Sequence, residues 1–309
     1  MNVIFMGTPD FAVSTLEGLI KSNHKIIAVV TRPDRPKGRG REILPSPVKV
    51  VAEANKIDVL QPEKVKEPDF VKKLREYIAD CIVVVAFGQI LPNEILSFPR
   101  YGCINLHASI LPKYRGAAPI NWALIKGEIK TGVTSMLMNE EMDTGDMLIQ
   151  REVEIKEDDN AGTLYDMLSR IGSDVVLETL ECLEKGEIKR VKQDASIATY
   201  APKLKKEDCL IDWSIGAKKI VNKIRGLTPA PGAYTSYNGK RLKITNAEYL
   251  IKEVKAEKGE VFEVNRNGIK VICGDGLVII KNLQPEGKRV MGVGEFISGH
   301  NIKAGEILG

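Results

Sequence analysis

The chain has few aromatics, few histidines and no paired cysteines. Aromatic residues make up 6% of its 309 positions, with only 2 Trp. Platforms that hold single-stranded nucleic acid stack bases on aromatic rings, so a purely non-catalytic RNA-binding module is disfavoured. The five cysteines, Cys81, Cys103, Cys182, Cys209 and Cys273, are scattered and form no Cys-x-x-Cys pair. That supports neither a disulfide framework nor a zinc cage. Cys103 lies four residues before His107, which is too thin a signal for a metal site, and no metal is expected. No apolar run is long enough to span a bilayer, and mean hydropathy is -0.12. Met1–Phe5 reads as a strand and lacks the pattern of a secretory or transit leader. A cytoplasmic chain is expected. Internal repeats and low-complexity tracts are also missing.

What is present suits a globular protein of ordinary composition, with 43% hydrophobic and 28% charged residues. The length suggests two domains at about 150 residues each. The net charge of +4 hides an asymmetry. Residues 203–309 carry 19 Lys+Arg against 12 Asp+Glu, which leaves 26 against 29 in residues 1–202. A second basic cluster, Arg32, Arg35, Lys37, Arg39 and Arg41, is opposed only by Asp34 and Glu42. Such asymmetry points to a polyanionic partner.

Residues 1–150 alternate apolar runs with helical patterns. Strands are expected at Val3–Met6, Ile26–Thr31, Asp58–Leu60, Cys81–Ala86 and Gly102–Leu106. Helices are expected near 10–22, 46–55, 67–76 and 117–126. The run Cys81-Ile82-Val83-Val84-Val85-Ala86 is apolar without alternation, as in a parallel strand covered on both faces. The βαβ alternation predicts a Rossmann-like, doubly wound, mostly parallel α/β sheet. Strands at Thr131–Asn139 and Met147–Ile155 follow, then a long helix. Asp159 or Asn160 can cap that helix and Gly186 can end it. Residues 185–206 read as a linker. A short helix from about Ile215, capped by Ser214, comes next. Asn238-Gly239, Asn267-Gly268 and Asp275-Gly276 then separate β-branched or aromatic runs, as two-residue hairpin turns do. These predict a small antiparallel β-barrel of OB-like kind.

Gly7-Thr8-Pro9-Asp10 joins the first strand to a helix. It holds one glycine, not G-x-G-x-x-G, so a dinucleotide site is poorly supported. Of three histidines, His107 stands out because it ends an apolar strand, where open α/β sheets place ligands. Asn105, two residues earlier, points to the same side of the strand. The two can converge on one reacting centre. A carboxylate to orient the histidine should come from a loop on the same edge, and spacing leaves both Asp143 and Asp146 open.

The stretch Asn105-Leu106-His107-Ala108-Ser109-Ile110-Leu111-Pro112-Lys113-Tyr114-Arg115-Gly116-Ala117-Ala118-Pro119 resembles the active-site signature of the formyltransferases that use 10-formyltetrahydrofolate. Asp143, 36 residues past His107, stands where that family has its aspartate. Gly7–Ala12, Arg32–Gly40, Pro45–Lys49, Asp212-Trp213-Ser214 and Pro231-Gly232 resemble the branch that acts on initiator methionyl-tRNA. The resemblance covers nearly the whole length.

The resemblance implies a catalytic domain at 1–187, a linker at 188–206 and a tRNA-binding β-barrel at 207–309. It implies catalytic roles for Asn105, His107 and Asp143. It places the folate around Phe87, Gly88, Gln89, Ile90 and Leu91, and along Ser109, Ile110, Leu111 and Pro112. It implies 10-formyltetrahydrofolate as formyl donor and initiator methionyl-tRNA as acceptor, with a monomeric enzyme serving translation initiation. Lys37, Arg39, Arg41, Lys205 and Lys206 are the expected tRNA contacts. The alternative is a folate-dependent formyltransferase or hydrolase acting on a small nucleotide-type substrate. The segment 32–41 is longer than the about 2–6 residues usual after a strand of an α/β unit. Its prolines and glycines predict neither helix nor strand, and a loop that stays mobile until tRNA binds.

Overall fold

The computed structural model describes residues 1–37 and 42–309. The chain divides into two compact units. The first comprises Met1–Pro119, Lys130–Val153 and Tyr165–Ala201; the second comprises Ile120–Ile129, Glu154–Leu164 and Pro202–Gly309. Neither unit is continuous in sequence, and residues 188–201 of the expected linker group with the first.

In chain order the elements are β1 (Asn2–Gly7), α1 (Asp10–Lys21), β2 (Lys25–Val30), β3 (Arg35–Lys37), β4 (Glu42–Leu44), α2 (Pro47–Ala54) and β5 (Val59–Leu60). Then come α3 (Pro68–Arg75), β6 (Cys81–Val85), α4 (Asn93–Leu96), β7 (Cys103–His107), α5 (Pro119–Lys126), β8 (Lys130–Leu137), β9 (Met147–Glu154) and α6 (Ala161–Lys185). The main sheet of the first unit runs β5-β2-β1-β6-β7-β8-β9. Its β5-β2, β2-β1, β1-β6 and β6-β7 pairs are parallel, and β7-β8 is antiparallel. This is the expected Rossmann-like, mostly parallel sheet. All five residues of β6 are buried, which is why that strand carries no polar alternation. The strand order reverses at β1 and β6, so a crevice opens beyond their carboxyl ends. The register sets Gly7 beside Val85 and Val85 beside Leu106, which brings His107 to that same end.

Local chemistry explains the element limits. The Ser46 hydroxyl accepts from the Lys49 amide at 3.1 Å and caps α2, with Pro47 in its first turn. Asn160 rather than Asp159 caps α6, with Oδ1 accepting from the amides of Gly162 and Thr163. Leu164, Leu168, Val175 and Leu180 are fully buried along α6. A methyl on Gly172 of α6 would come within 2.4 Å of Leu106. The glycine therefore lets the helix lie close on the strand that carries Asn105 and His107.

The basic segment departs from expectation. β3 and β4 form a two-stranded antiparallel ladder, pairing Arg35 with Leu44, Pro36 with Ile43 and Lys37 with Glu42. A two-stranded ribbon has an edge on each side, where proline's missing N–H is tolerated. Arg39 and Arg41, and the expected mobility at that point, lie outside the described residues.

The second unit holds α7 (Ala217–Leu227), β10 (Ala233–Tyr237), β11 (Lys240–Ile251), β12 (Val261–Asn265), β13 (Gly268–Ile272), β14 (Gly276–Pro285), β15 (Met291–Gly292) and α8 (Val293–Gly299). The antiparallel order is β10-β11-β14-β13-β12, with β15 on β14. The sheet is of the expected barrel-like kind, but its ladder stays open, since no β10–β12 pairing occurs among the described residues. Its core gathers Trp213, Ile220, Ile224, Leu242, Ile244, Val271, Val278, Ile280 and Phe296.

Two local expectations are corrected here. Asn238-Gly239 is a two-residue turn with both φ values positive, 51° and 71°. In the next hairpin Asn265 pairs with Gly268, so the turn is Arg266-Asn267. Asp275 and Gly276 instead close a longer connection, in which the Cys273 amide donates to the Gly276 carbonyl at 2.9 Å. The Asp275 side chain has another task. Its Oδ1 accepts from the Ala217 amide at 2.7 Å and so caps α7. Ser214, the expected cap, is instead bound to Asp212, its amide and hydroxyl both donating to Oδ1.

Candidate active site

Asn105 and His107 stand on β7 with one residue between them, facing the same side of the sheet. The Asn105 carboxamide is half-buried and has no protein hydrogen-bond partner among the described residues. His107 is buried. Its Nε2 lies 2.8 Å from the carbonyl oxygen of Tyr114. A carbonyl only accepts, so Nε2 carries the proton of that bond. Its Nδ1 lies 3.7 Å from Oδ2 of Asp143. That is too long for a direct hydrogen bond.

Of the two carboxylates left open by spacing, Asp143 is the one brought to His107. Its Oδ2 accepts from the Gly116 amide at 2.8 Å. Asp143 has a φ of 55°, in the left-handed region. The loop that holds it is shaped from within: Oδ1 of Asn139 accepts from the Glu141 amide and the Thr144 hydroxyl. At Gly145 an added methyl would lie 1.7 Å from the Leu137 carbonyl oxygen, so only glycine fits. Asp146 contributes its backbone, its carbonyl accepting from the Leu137 amide.

The segment after His107 is tied down at each step. The Ser109 hydroxyl donates to the Lys113 carbonyl at 2.6 Å. The Thr134 hydroxyl donates to the Ser109 carbonyl and accepts from the Leu111 amide. Nε2 of Gln150 donates to the Leu111 carbonyl at 2.9 Å. Ser109, Leu111 and Pro112 are therefore buried within the protein, and the side chains of Phe87 and Leu91 are buried in the core. Gly88, with φ of 75°, takes a hydrogen bond from Arg32 on its carbonyl. Gln89 accepts from the Val65 amide, and Ile90 is exposed. Of the expected folate-lining set, Gly88, Gln89 and Ile90 present surface, and the others shape the floor behind it.

Cys103 faces away from this centre. It is buried in the core cluster, donates to the Ile95 carbonyl, and burial pushes its thiol up to about 12. Among the described residues no group of three His, Cys, Asp or Glu could hold a metal ion. No helix among them is long and apolar enough to cross a membrane. Of the expected tRNA contacts, Lys205 and Lys206 are exposed, and Lys37 lies at the end of β3. Arg225 serves structure: it donates to the carbonyls of Asp159 and Lys156, and burial lowers its guanidinium. Two residues that sequence reasoning gave no role, Arg115 and Gln193, meet beside Asp143. Arg115 lay inside the signature stretch; Gln193 carried no signal at all.

Comparison with known proteins fixes the class. Residues 1–180 match the formyl transferase family model, and residues 203–301 match the formyl transferase C-terminal domain. The chain is a formyltransferase by family, with the transferase fold and a strand-end Asn-x-His at its sheet edge. It is 49% identical over 309 residues to the methionyl-tRNA formyltransferase of Citrifermentans bemidjiense, covering 100% of this chain and 96% of that one. It is 50% identical to that of Caldanaerobacter subterraneus, covering 100% of both. The chain belongs to the methionyl-tRNA formyltransferase family. Among solved structures, an N-formyltransferase from Helicobacter canadensis in complex with folinic acid and dTDP-3-aminofucose shares the fold, with a TM-score of 0.68. That match is at 20% identity over 91% of this chain and 98% of the other.

Proposed function

We propose that this chain transfers the formyl group of 10-formyltetrahydrofolate to the α-amino group of methionine on initiator methionyl-tRNA, as a monomer in the cytoplasm. One observation carries the reading in this structure. An unpartnered Asn105 amide and the His107 ring share the edge of the sheet where its order reverses, with the Asp143 carboxylate beside them.

Formyl transfer to an amine is acyl transfer. The neutral amine adds to the formyl carbon, a tetrahedral oxyanion forms, and the folate nitrogen leaves with a proton. The Asn105 carboxamide donates to the oxyanion, as a fixed dipole placed where charge develops. His107 keeps one proton on Nε2, engaged by the Tyr114 carbonyl. The proton that moves in the reaction is therefore the one on Nδ1. Because Asp143 is near Nδ1 without binding it directly, that proton is free to reach the oxyanion and then the leaving nitrogen. The Asp143 carboxylate stabilises the ring while it carries both protons. Gly88, Gln89 and Ile90 border the donor's pterin. Lys37, Arg39, Arg41, Lys205 and Lys206 contact tRNA phosphates.

The test is incubation with labelled formyl donor and, in parallel, charged initiator tRNA, charged elongator tRNA and an amino-sugar nucleotide. Label on initiator methionyl-tRNA alone supports the reading. Label on the sugar nucleotide, or release of free formate without an acceptor, replaces it with the small-substrate or hydrolase reading.

A further inference from the structure

Gln193 lies in the polar stretch that sequence reads as a linker, yet its amide is bound on both sides beside the candidate site. Oε1 accepts from Nε and Nη2 of Arg115 at 3.0 and 2.7 Å. Nε2 donates to the carbonyls of Asp143 and Gly145 at 2.9 and 2.8 Å. The orientation of the amide is dictated by its partners, because a guanidinium only donates and a carbonyl only accepts. Arg115 is buried and so delivers its two donors from a fixed position. It sits between Tyr114, whose carbonyl takes the His107 proton, and Gly116, whose amide holds the Asp143 carboxylate.

The same stretch is laced to the same loop by its backbone. The Thr199 hydroxyl accepts from the Tyr114 amide, the Thr199 carbonyl accepts from Arg115, and the Ala201 amide donates to the Arg115 carbonyl. Asp143 meanwhile holds a left-handed backbone that a non-glycine residue adopts only when its surroundings impose it. The two carbonyls that Gln193 grips, those of Asp143 and Gly145, bracket this turn.

We propose that Gln193 is a positioning residue for formyl transfer: it clamps the Asp143 turn to Arg115 and so sets the carboxylate against the His107 ring. This rests on the reading of Asn105, His107 and Asp143 given above. Gln193 touches no reacting atom. It acts by fixing the distance between two loops that carry the partners of one imidazole. A misplacement of the order of 1 Å in such an assembly costs about 10² in rate.

The experiment uses the full-length enzyme with charged initiator tRNA and formyl donor. Gln193→Ala is expected to lower kcat by about 10- to 100-fold, with KM for both substrates within about twofold of the wild type. Gln193→Glu keeps the volume and gives Arg115 a carboxylate, but sets a second acceptor against the Asp143 and Gly145 carbonyls. It is expected to keep Tm and to lose kcat as deeply as Gln193→Ala. If Gln193 works through Asp143, adding Gln193→Ala to Asp143→Asn causes little further loss, whereas independent roles multiply. Full kcat in Gln193→Glu, or multiplicative losses in the double variant, overturns the positioning role and leaves the site reading standing. Normal kcat in Asp143→Asn overturns the site reading and the proposal with it.

Discussion

The His107 ring is held through Nε2 by the carbonyl of Tyr114 at 2.8 Å, while the Asp143 carboxylate stands 3.7 Å from Nδ1. The strong bond is to the backbone of the loop that follows the strand. The carboxylate is engaged elsewhere, accepting from the Gly116 amide. The two residues that flank the histidine therefore have separate tasks: Tyr114 fixes the ring and its Nε2 proton, and Asp143 acts on the charge that Nδ1 carries.

That division predicts how the three site residues respond to substitution. Asn105→Ala and His107→Ala are expected to lower kcat by about 10²–10³, the usual cost of losing an oxyanion donor. tRNA binding should survive in both, because the interactions lost belong to the transition state. Asp143→Asn keeps the hydrogen bond from Gly116 but removes the charge, so it should lower kcat without lowering Tm. Single-turnover kinetics with filter binding of charged tRNA checks all three. Near-normal turnover in His107→Ala would refute its role.

Burial also separates the cysteines by reactivity. Cys103 is almost wholly enclosed, and its thiol is pushed up to about 12 by the loss of solvation. A raised thiol value means the nucleophilic thiolate is absent until pH approaches that value. Cys81 is shifted upward by burial in the same way. At about pH 8 the native protein should therefore be alkylated at Cys182, the one cysteine that is not buried. Peptide mass spectrometry after iodoacetamide reads the order directly. Early labelling of Cys103 would mean that β7 opens in the native state.

Much of the sheet and the catalytic pair was legible in the sequence because each rests on a short-range rule. Buried parallel strands lose alternation, as β6 does, and residues two apart on a strand face one way, as Asn105 and His107 do. The carboxylate was narrower than a guess but not decided by spacing: Asp143 and Asp146 differ only in how Asn139 and Gly145 bend the loop between β8 and β9. Gln193 was not legible, because its partners lie 50 and 78 residues away and a polar stretch has no period to betray them. The hairpin at Arg266-Asn267 was misread by one position because Asn-Gly is a preference for a turn type, whereas the register is set by pairing with β14. The β3–β4 ladder was missed because proline was weighed as a strand breaker, which it is not on an edge.

The approach of α6 to β7 gives a stability prediction. Gly172→Ala places a methyl 2.4 Å from Leu106, so the leucine must move or the helix must lift. Overpacking of this kind costs about 1–3 kcal/mol. Leu106→Ala alone should cost about 2–5 kcal/mol through the cavity it leaves. The double variant should lose less than the two losses added, since one methyl fills space the other vacates. Denaturant melts of the four proteins complete the cycle. Simple additivity would show that Gly172 and Leu106 are not in contact in solution.

The basic segment gives the last prediction. Its start is anchored on described residues. The Arg32 guanidinium donates to the Gly88 carbonyl, on the loop proposed to border the pterin. Two residues on, Asp34 accepts from Lys49 at 2.6 Å and from Gln61 at 2.8 Å. The hydrogen bonds from Lys49 and Gln61 hold the Asp34 carboxyl below its ordinary 3.8, and the bond to Asp34 raises the Lys49 ammonium above its ordinary 10.5. A lowered carboxyl contributes above its ordinary value and is lost only as pH falls through its lowered one. A raised ammonium contributes below its ordinary value and is lost as pH rises through its raised one. The anchor is therefore charged on both sides throughout the interval from 3.8 to 10.5, and pH within that interval should not release the segment. What lies beyond the anchor is a run of cations, Lys37, Arg39 and Arg41, carried by a ribbon whose Ile43 is 70% exposed and so buries little of its own. If these cations meet tRNA phosphates, each alanine substitution should flatten the dependence of log kcat/KM on log salt by about 0.7–0.9. Donor KM should stay unchanged, because the anchor that reaches Gly88 is left intact. Arg32→Ala should do the reverse, raising donor KM and leaving the salt slope as it was. Kinetics on charged initiator tRNA across a salt series at two pH values distinguishes the two behaviours. An unchanged slope in the Lys37, Arg39 and Arg41 variants would reduce the ribbon to a solvated insertion and leave tRNA binding to the second unit.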